Sequence, residues 1–495
     1  MRLICAILIM FIPFVSSASE RVALVIGMAK YETVVPLDNT VNDAISISQT
    51  LEDIGFDVRT LVDVSSEEFR KAVDDFAFKS ETADLALIYF AGHGVEVQGQ
   101  NFLISVDANV SSNKDIQRQS ISLKQLLAAA GSARKMRIVI LDSCRDNPFG
   151  DSLDLAALAE TANQADKTRS LTGGLAKPSP DRGTLVAFAA KDGQKALDGI
   201  GDNSPFAIAL IKNLPKPNLE ISLLFRQVRD SVLNTTNNQQ EPHTYGSLSG
   251  IPYYLAGSSE ANTEVGNNDP RVAWSDLMPD QETQLVKLAG QGDTRSMIGL
   301  AYIRLNSEDS RYAPSQAAQY LTLAANEGSA EAQFELAKLY EAGLGIEQNT
   351  NKALDLYELA AAADFPDALN DLGFLYFQGG VGRILRDQRK AVEYFERAAD
   401  LKQPQAMFNY AALIDDGVIK GKGPTEASLY LYHSLRTGSR QVLDILTNKP
   451  KMFKPETLMA LQEQLSANDF YTGPIDGDFG PASIKSIRVA FGLLE

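Results

Sequence analysis

Cys144 and His93 are the residues whose types and settings best fit covalent chemistry. The chain has two cysteines. Cys5 lies inside an N-terminal apolar stretch that reads as a leader, so export would leave Cys144 as the sole thiol. A single thiol forms no internal disulfide, and an exported one is open to oxidation. Cys144 follows an apolar run, Arg137-Ile-Val-Ile-Leu-Asp142, and a second such run, Leu85-Ala-Leu-Ile-Tyr-Phe-Ala91, ends in Gly92-His93-Gly94. A thiol at one strand end and an imidazole at another read together as a nucleophile and its proton carrier. The ordinary imidazole pKa suits proton transfer near neutrality. Gly92 and Gly94 let backbone N–H groups approach a substrate without side-chain clash. The N–H groups of Gly94 and Cys144 are therefore the candidates for an oxyanion site. No third residue stands out to orient His93, so the expected machinery is a dyad.

The elements that must position this pair alternate along residues 19–257. Val22–Gly27, Leu85–Ala91, Arg137–Leu141 and Gly183–Ala190 are apolar runs of the kind buried on both faces of a parallel sheet. Asp57–Leu61 is also strand-like. Helical periodicity marks Val41–Ile54, with Asn39 or Thr40 as N-cap, and then Ser66–Phe78, Phe206–Leu214 and Leu219–Leu233. Such alternation implies a layered α/β domain. Ligands of these sheets bind beyond the carboxyl ends of the strands, where both His93 and Cys144 are expected.

The chain has 495 residues, too many for one core. Its formal charge of −17 argues against nucleic acid as a partner. Residues 1–18 have a secretory pattern: Arg2, the apolar stretch Leu3–Val15, and the small residues Ser16-Ser17-Ala18. Secretion is expected, most simply to a bacterial periplasm. The polar segment 150–182, with Lys167, Arg169, Lys177 and Arg182, reads as an exposed loop open to nicking. No cofactor is expected. The three histidines (His93, His243, His433) and Cys144 lack zinc-ligand spacing, and Gly92-His93-Gly94 lacks the Lys-Ser/Thr of a phosphate loop. His243, in a polar loop after Pro242, and His433, on a repeat helix, are expected to be ordinary.

A polar linker, 258–283, carries the only tryptophan, Trp274, which is placed to dock it on a neighbour. Over 284–446, segments beginning at Ser296, Ala332, Ala368 and Ala406 repeat every 36 to 38 residues. Each unit reads as two amphipathic helices with small Ala and Gly at the crossing, and stacking buries a continuous core. The Leu-Ala…Tyr…Gly pattern resembles Sel1-like repeats, whose concave face implies protein partners; a plain spacer is the other reading. In 447–495, Thr457–Leu465 and Ser483–Phe491 read as helices around Gly473-Pro-Ile-Asp-Gly-Asp-Phe-Gly480. This unit resembles three-helix peptidoglycan-binding domains, with Gln462 and Leu465 fitting the first helix, which implies peptidoglycan as a partner.

Residues 20–257 resemble caspase-like peptidases of the C14 type, in particular the bacterial metacaspase-like branch. The matching segments are Arg21–Gly27, Leu37–Ala44, Tyr89–Gly94, Leu141–Asp146 and Gly183–Ala189. The resemblance implies an α/β caspase-like domain, a mainly parallel sheet with helices on both faces, ahead of the all-α solenoid and the small helical C-terminal domain. It also implies His93 and Cys144 as the catalytic dyad and acidic residues holding a P1 Arg or Lys. Arg145-Asp146-Asn147 departs from the His-Ser-Gly usual after a metacaspase nucleophile. Asp43 and Asp142 are the P1-pocket candidates, and Asp198 a third. Two carboxylates can pair a guanidinium bidentately, each charged hydrogen bond contributing about 1.5–3 kcal/mol. Asp43 could instead cap a helix and Asp142 occupy a turn. The expected activity is a secreted cysteine endopeptidase acting on proteins or peptides after Arg or Lys, with self-cleavage in 150–182. A non-catalytic wall-associated scaffold is the alternative.

Overall fold

The structure is a computed structural model that describes residues 21–97, 99–110, 113–144, 183–191, 194–199, 201–248, 252–256, 274, 277 and 279–493. The leader, the 150–182 segment, Arg145-Asp146-Asn147 and most of the linker lie outside these residues. Contacts divide the chain into two compact units, one holding Ser19–Ala406 and the other the C-terminal Met407–Glu495.

The first unit opens on a sheet. Strands β1 (Arg21–Gly27), β2 (Asp57–Val62), β3 (Leu85–Val97), β6 (Met136–Cys144), β7 (Thr184–Phe188) and β8 (His243–Ser247) lie in the order β2-β1-β3-β6-β7-β8. All pair in parallel except β7 with β8. Continuous apolar runs fit this, because helices cover both faces. Ala86, Ile88 and Phe90 share a core with Phe69 and Phe76 of α2 (Ser66–Ser80) and Leu126 of α4 (Leu123–Ala130). Leu85, Leu87 and Tyr89 face the opposite core, with Ile47 of α1 (Thr40–Asp53), Phe206 of α5 (Pro205–Asn213) and Val228 of α6 (Ile221–Thr235).

β3 runs further than its apolar stretch indicated. Leu85–His93 pair with β6, after which Gly94–Val97 turn into an antiparallel ladder with β4 (Gln100–Ile104), itself paired to β5 (Ser120–Ser122). His93 is therefore the last β3 residue on the main sheet. His243 begins edge strand β8 rather than sitting in a loop, and its ring lies 4.7 Å from that of Tyr245.

From Pro279 onward the described residues of this unit are mainly helical: α7 (Pro279–Ala289), α8 (Thr294–Leu305), α9 (Pro314–Asn326), α10 (Ala330–Ala342), α11 (Thr350–Ala362), α12 (Pro366–Gln378) and α13 (Gln388–Asp400). Small side chains mark their crossings, as the repeat pattern predicts: a Cβ on Gly373 would lie 2.8 Å from the Phe395 ring. Trp274 is fully buried in the core of α8 and α9, over Gly299.

The C-terminal unit contains α15 (Pro424–Arg436), α16 (Arg440–Asn448), α17 (Pro455–Ala467) and α18 (Pro481–Phe491) around a core that includes Leu435, Leu461, Tyr471 and Ile487. The Gln462 amide is completely buried and orders the turn between the last two helices. It donates to the Asp478 carbonyl and accepts from the N–H groups of Asp476 and Gly477. No helix among the described residues is long and apolar enough to cross a membrane.

Candidate active site

Strand pairing brings the two chemistry-bearing positions together. His93 on β3 and Cys144 on β6 form the terminal register pair of the parallel ladder, and adjacent strands lie about 4.8 Å apart. A segment that could extend to about 170 Å is thereby reduced at its ends to one inter-strand spacing.

The imidazole is 7% exposed and held from three directions. Its Nε2 lies 2.8 Å from the Val35 carbonyl, its backbone N–H donates to the Tyr31 hydroxyl at 2.7 Å, and the Tyr31 ring lies 4.6 Å away. A carbonyl only accepts, so Nε2 carries the proton and Nδ1 is the basic nitrogen of the neutral ring. Nδ1 is buried and has no hydrogen-bond partner among the described residues. Burial lowers the His93 pKa, with the Val35 hydrogen bond and the charge of Asp198 opposing.

The missing orienting group is thus a backbone carbonyl, for which sequence carries no signal. Its loop is firmly held. Asp63 Oδ1 accepts from the N–H groups of Ala29 and Lys30, the Thr33 hydroxyl donates to the Ala108 carbonyl, and the Glu32 N–H donates to the Val106 carbonyl. Gly94, a proposed oxyanion donor, opens the ladder with β4 opposite Leu103.

Asp43, Asp142 and Asp198 line one pocket, together with Leu37, Gly92 and Ser204. β1 and α1 deliver Asp43 by a close approach: a Cβ on Gly27 would lie 2.6 Å from the Thr40 carbonyl oxygen. Asp43 does not cap its helix. Its Oδ1 accepts from Asn203 Nδ2 at 2.9 Å and from the Ser204 N–H at 3.0 Å. Asp142 is a strand residue, not a turn residue; its Oδ2 accepts from the Tyr89 hydroxyl at 3.0 Å and the Ser204 hydroxyl at 2.8 Å. Asn39 stands at the N-cap position of α1 but donates from its side chain to the Asp198 carbonyl, tying that segment to the helix.

Among the described residues, no Lys or Arg charge acts on Asp43 or Asp142. Burial, then the neighbouring Asp43, push the Asp142 carboxyl up to about 7. Burial also raises Asp43, against hydrogen bonds from Asn203 and Ser204. Asp198 is raised by burial too, although the Asp38 N–H donates to it. Carboxyls placed in this way favour their ionised form only when a positive charge stands beside them. Sequence reading missed Asn203, Ser204 and Tyr89. Ser204-Pro205 carries a recognisable N-cap and N1 signature, which marks the start of α5 but not what the serine holds. Among the described residues, no group of three or more His, Cys, Asp or Glu could hold a metal ion.

Residues 20–250 match the family model of the caspase domain of C14 peptidases, and residues 294–329, 330–365 and 366–402 each match the Sel1 repeat. Over 149 residues, 30% of this chain, the sequence is 31% identical to human mucosa-associated lymphoid tissue lymphoma translocation protein 1. The match spans 18% of that protein's length. A solved structure of caspase-1 from Spodoptera frugiperda aligns over 50% of this chain and 93% of its own, at 17% identity and a TM-score of 0.36. A Sel1 repeat protein from Oxalobacter formigenes aligns over 38% of this chain and 55% of its own, at 25% identity and a TM-score of 0.31. The chain carries a caspase domain of the C14 peptidase type followed by three Sel1 repeats.

Proposed function

We propose that the protein is a cysteine endopeptidase that cleaves after Arg or Lys. One observation supports this above the others: Gly92 and Asp142, one and two residues before the register pair His93–Cys144, line a pocket that holds three carboxylates. In this reading, Nδ1 of His93 takes the thiol proton as Cys144 Sγ attacks the scissile carbonyl. The N–H groups of Gly94 and Cys144 receive the developing oxyanion. His93 then returns its proton to the leaving amine, and water hydrolyses the thioester by the same route in reverse. Val35 keeps the ring in the tautomer this requires, and Asp43 and Asp142 hold the P1 cation.

Fluorogenic peptides ending in Arg, Lys and Asp test the reading. Turnover should follow the basic peptides, fall by at least about 10³-fold in Cys144→Ala and His93→Ala, and lose its preference for a basic P1 residue in Asp142→Ala. Cleavage that survives Cys144→Ala, or that prefers Asp, would overturn it. Self-cleavage within 150–182 should appear as fragments of wild type that Cys144→Ala lacks.

Export belongs to the same proposal, supported by the pattern of residues 1–18, and periplasmic fractionation tests it. The Sel1 repeats imply protein–protein interaction. For the C-terminal unit we propose wall binding, supported by the loop that Gln462 orders. Co-sedimentation of the full chain with purified peptidoglycan should be lost in Gln462→Leu, and a wild type that stays in the supernatant would remove the idea.

A further inference from the structure

One residue joins both carboxylates of the pocket. The Ser204 N–H donates to Asp43 Oδ1 at 3.0 Å, and its hydroxyl donates to Asp142 Oδ2 at 2.8 Å. The same hydroxyl oxygen accepts from the Ala207 N–H at 3.0 Å as the N-cap of α5. A hydroxyl has one proton, so accepting from Ala207 leaves that proton for Asp142. Tyr89, fully buried and kept protonated by burial beside Asp142, donates to the same Oδ2. Both donors thus engage one oxygen of Asp142 and leave the other for a ligand.

We propose that Ser204 is a specificity-determining positioning residue: through its hydroxyl and N–H it fixes Asp43 and Asp142 in the arrangement that accepts a guanidinium. The inference deepens the peptidase reading and rests on its assignment of this pocket to the P1 side chain. Its consequence is electrostatic. A hydrogen bond to the ionised form favours ionisation, so Ser204 opposes the burial that holds Asp142 near 7. Asp43 from α1, Tyr89 from β3 and Asp198 face Asp142, and Asp38 and His93 act in turn on Asp198. None of these supplies a lasting positive charge, which leaves the serine and tyrosine hydroxyls to hold the carboxylate open for the ligand.

Agmatine, a guanidinium without a scissile bond, is the probe. Its affinity for the full chain should fall as pH drops through about 7. Ser204→Gly keeps a tolerated N-cap but removes the hydroxyl donor. It should bind agmatine about ten-fold more weakly near neutrality, with the pH midpoint raised by roughly one unit. Ser204→Thr, which keeps the hydroxyl, should restore both. Tyr89→Phe, which removes the other donor to that oxygen, should shift the midpoint in the same direction and serves as the second variant should the glycine variant not fold. A structural role alone would not move the midpoint. A midpoint unchanged in both donor-removing variants, or no agmatine binding by wild type at any pH, overturns the proposal. Agmatine binding that depends on Ser204, without turnover of Arg peptides, would leave this inference standing and remove the peptidase reading. Turnover with agmatine affinity indifferent to Ser204 would do the reverse.

Discussion

Asp142 shows how a binding group works against the fold that carries it. The carboxyl is 7% exposed, faces Asp43, and has no cation beside it among the described residues. Its folded pKa of about 7 lies above the ordinary 3.8. Between roughly pH 4 and pH 7 the folded chain therefore keeps a proton that the unfolded chain has released, so stability falls as pH rises through that window. Asp142→Asn removes the titration and can still accept from Tyr89 and Ser204. It should melt about 3 °C or more above wild type near pH 8, converge with wild type near pH 4, and lose the preference for a basic P1 residue. A variant less stable than wild type at pH 8 would show that the carboxylate is not the strained form. At this scale the sequence was legible where a charged residue stands beside a motif: Asp43, Asp142 and Asp198 share one pocket. Val35 was not legible, because every residue has a carbonyl and only the three-dimensional path of the loop selects this one.

Element packing decides how tightly His93 is held. Gly92 and Ser143 are register partners just before the last pair of the ladder, and Tyr31 crosses Gly92 closely. A Cβ at position 92 would lie 2.6 Å from the Tyr31 hydroxyl oxygen and 2.9 Å from the Phe90 ring. Gly92→Ala should displace Tyr31, and with it the acceptor of the His93 N–H and the ring against the imidazole. Overpacking of this kind costs about 1–3 kcal/mol, and kcat should fall at least about ten-fold as the ring loses its seat. Tyr31→Phe removes the oxygen that clashes, so the double variant should be destabilised by less than the sum of the singles. Strict additivity in melting experiments would mean that Tyr31 is not what Gly92 accommodates. The continuous apolar runs announced β1, β3, β6 and β7, since parallel strands buried on both faces need nothing else. The bend of β3 into the β4 ladder left no such mark. Gly94–Val97 leave the main sheet through a change of partner rather than a change of composition, and β4 and β5 are only five and three residues long.

The peptidase domain and the start of the repeats are joined by buried contacts, although a polar linker lies between them in sequence. Glu220 is completely buried at the N-cap of α6, where its Oε2 accepts from the Ser222 N–H. Its Oε1 lies 2.7 Å from Arg295 Nη1 of α8, and Arg295 extends over the Trp274 ring. Gln281 of α7 donates to the Asn218 carbonyl, and Arg226 of α6 pairs with Asp293. Trp274 was legible as a docking residue because a lone tryptophan in a polar stretch has little reason to stay in water. The partner of Glu220 was not, because pairing across 75 positions follows from how α8 lies on α6. Removing one member of a buried ion pair costs far more than removing both, since the survivor stays desolvated without its counter-charge. Arg295→Ala should therefore lower stability by about 3 kcal/mol, roughly 6–10 °C in Tm. The double variant Arg295→Ala with Glu220→Gln should recover part of that loss, because a neutral amide can still meet the Ser222 N–H. The peptidase domain should become more sensitive to added protease in the single variant, although the substitution lies in the repeats. A Tm within about 1 °C of wild type would mean that the repeats hang from the peptidase as a tether; the predicted loss would mean that α8 serves as part of the peptidase core.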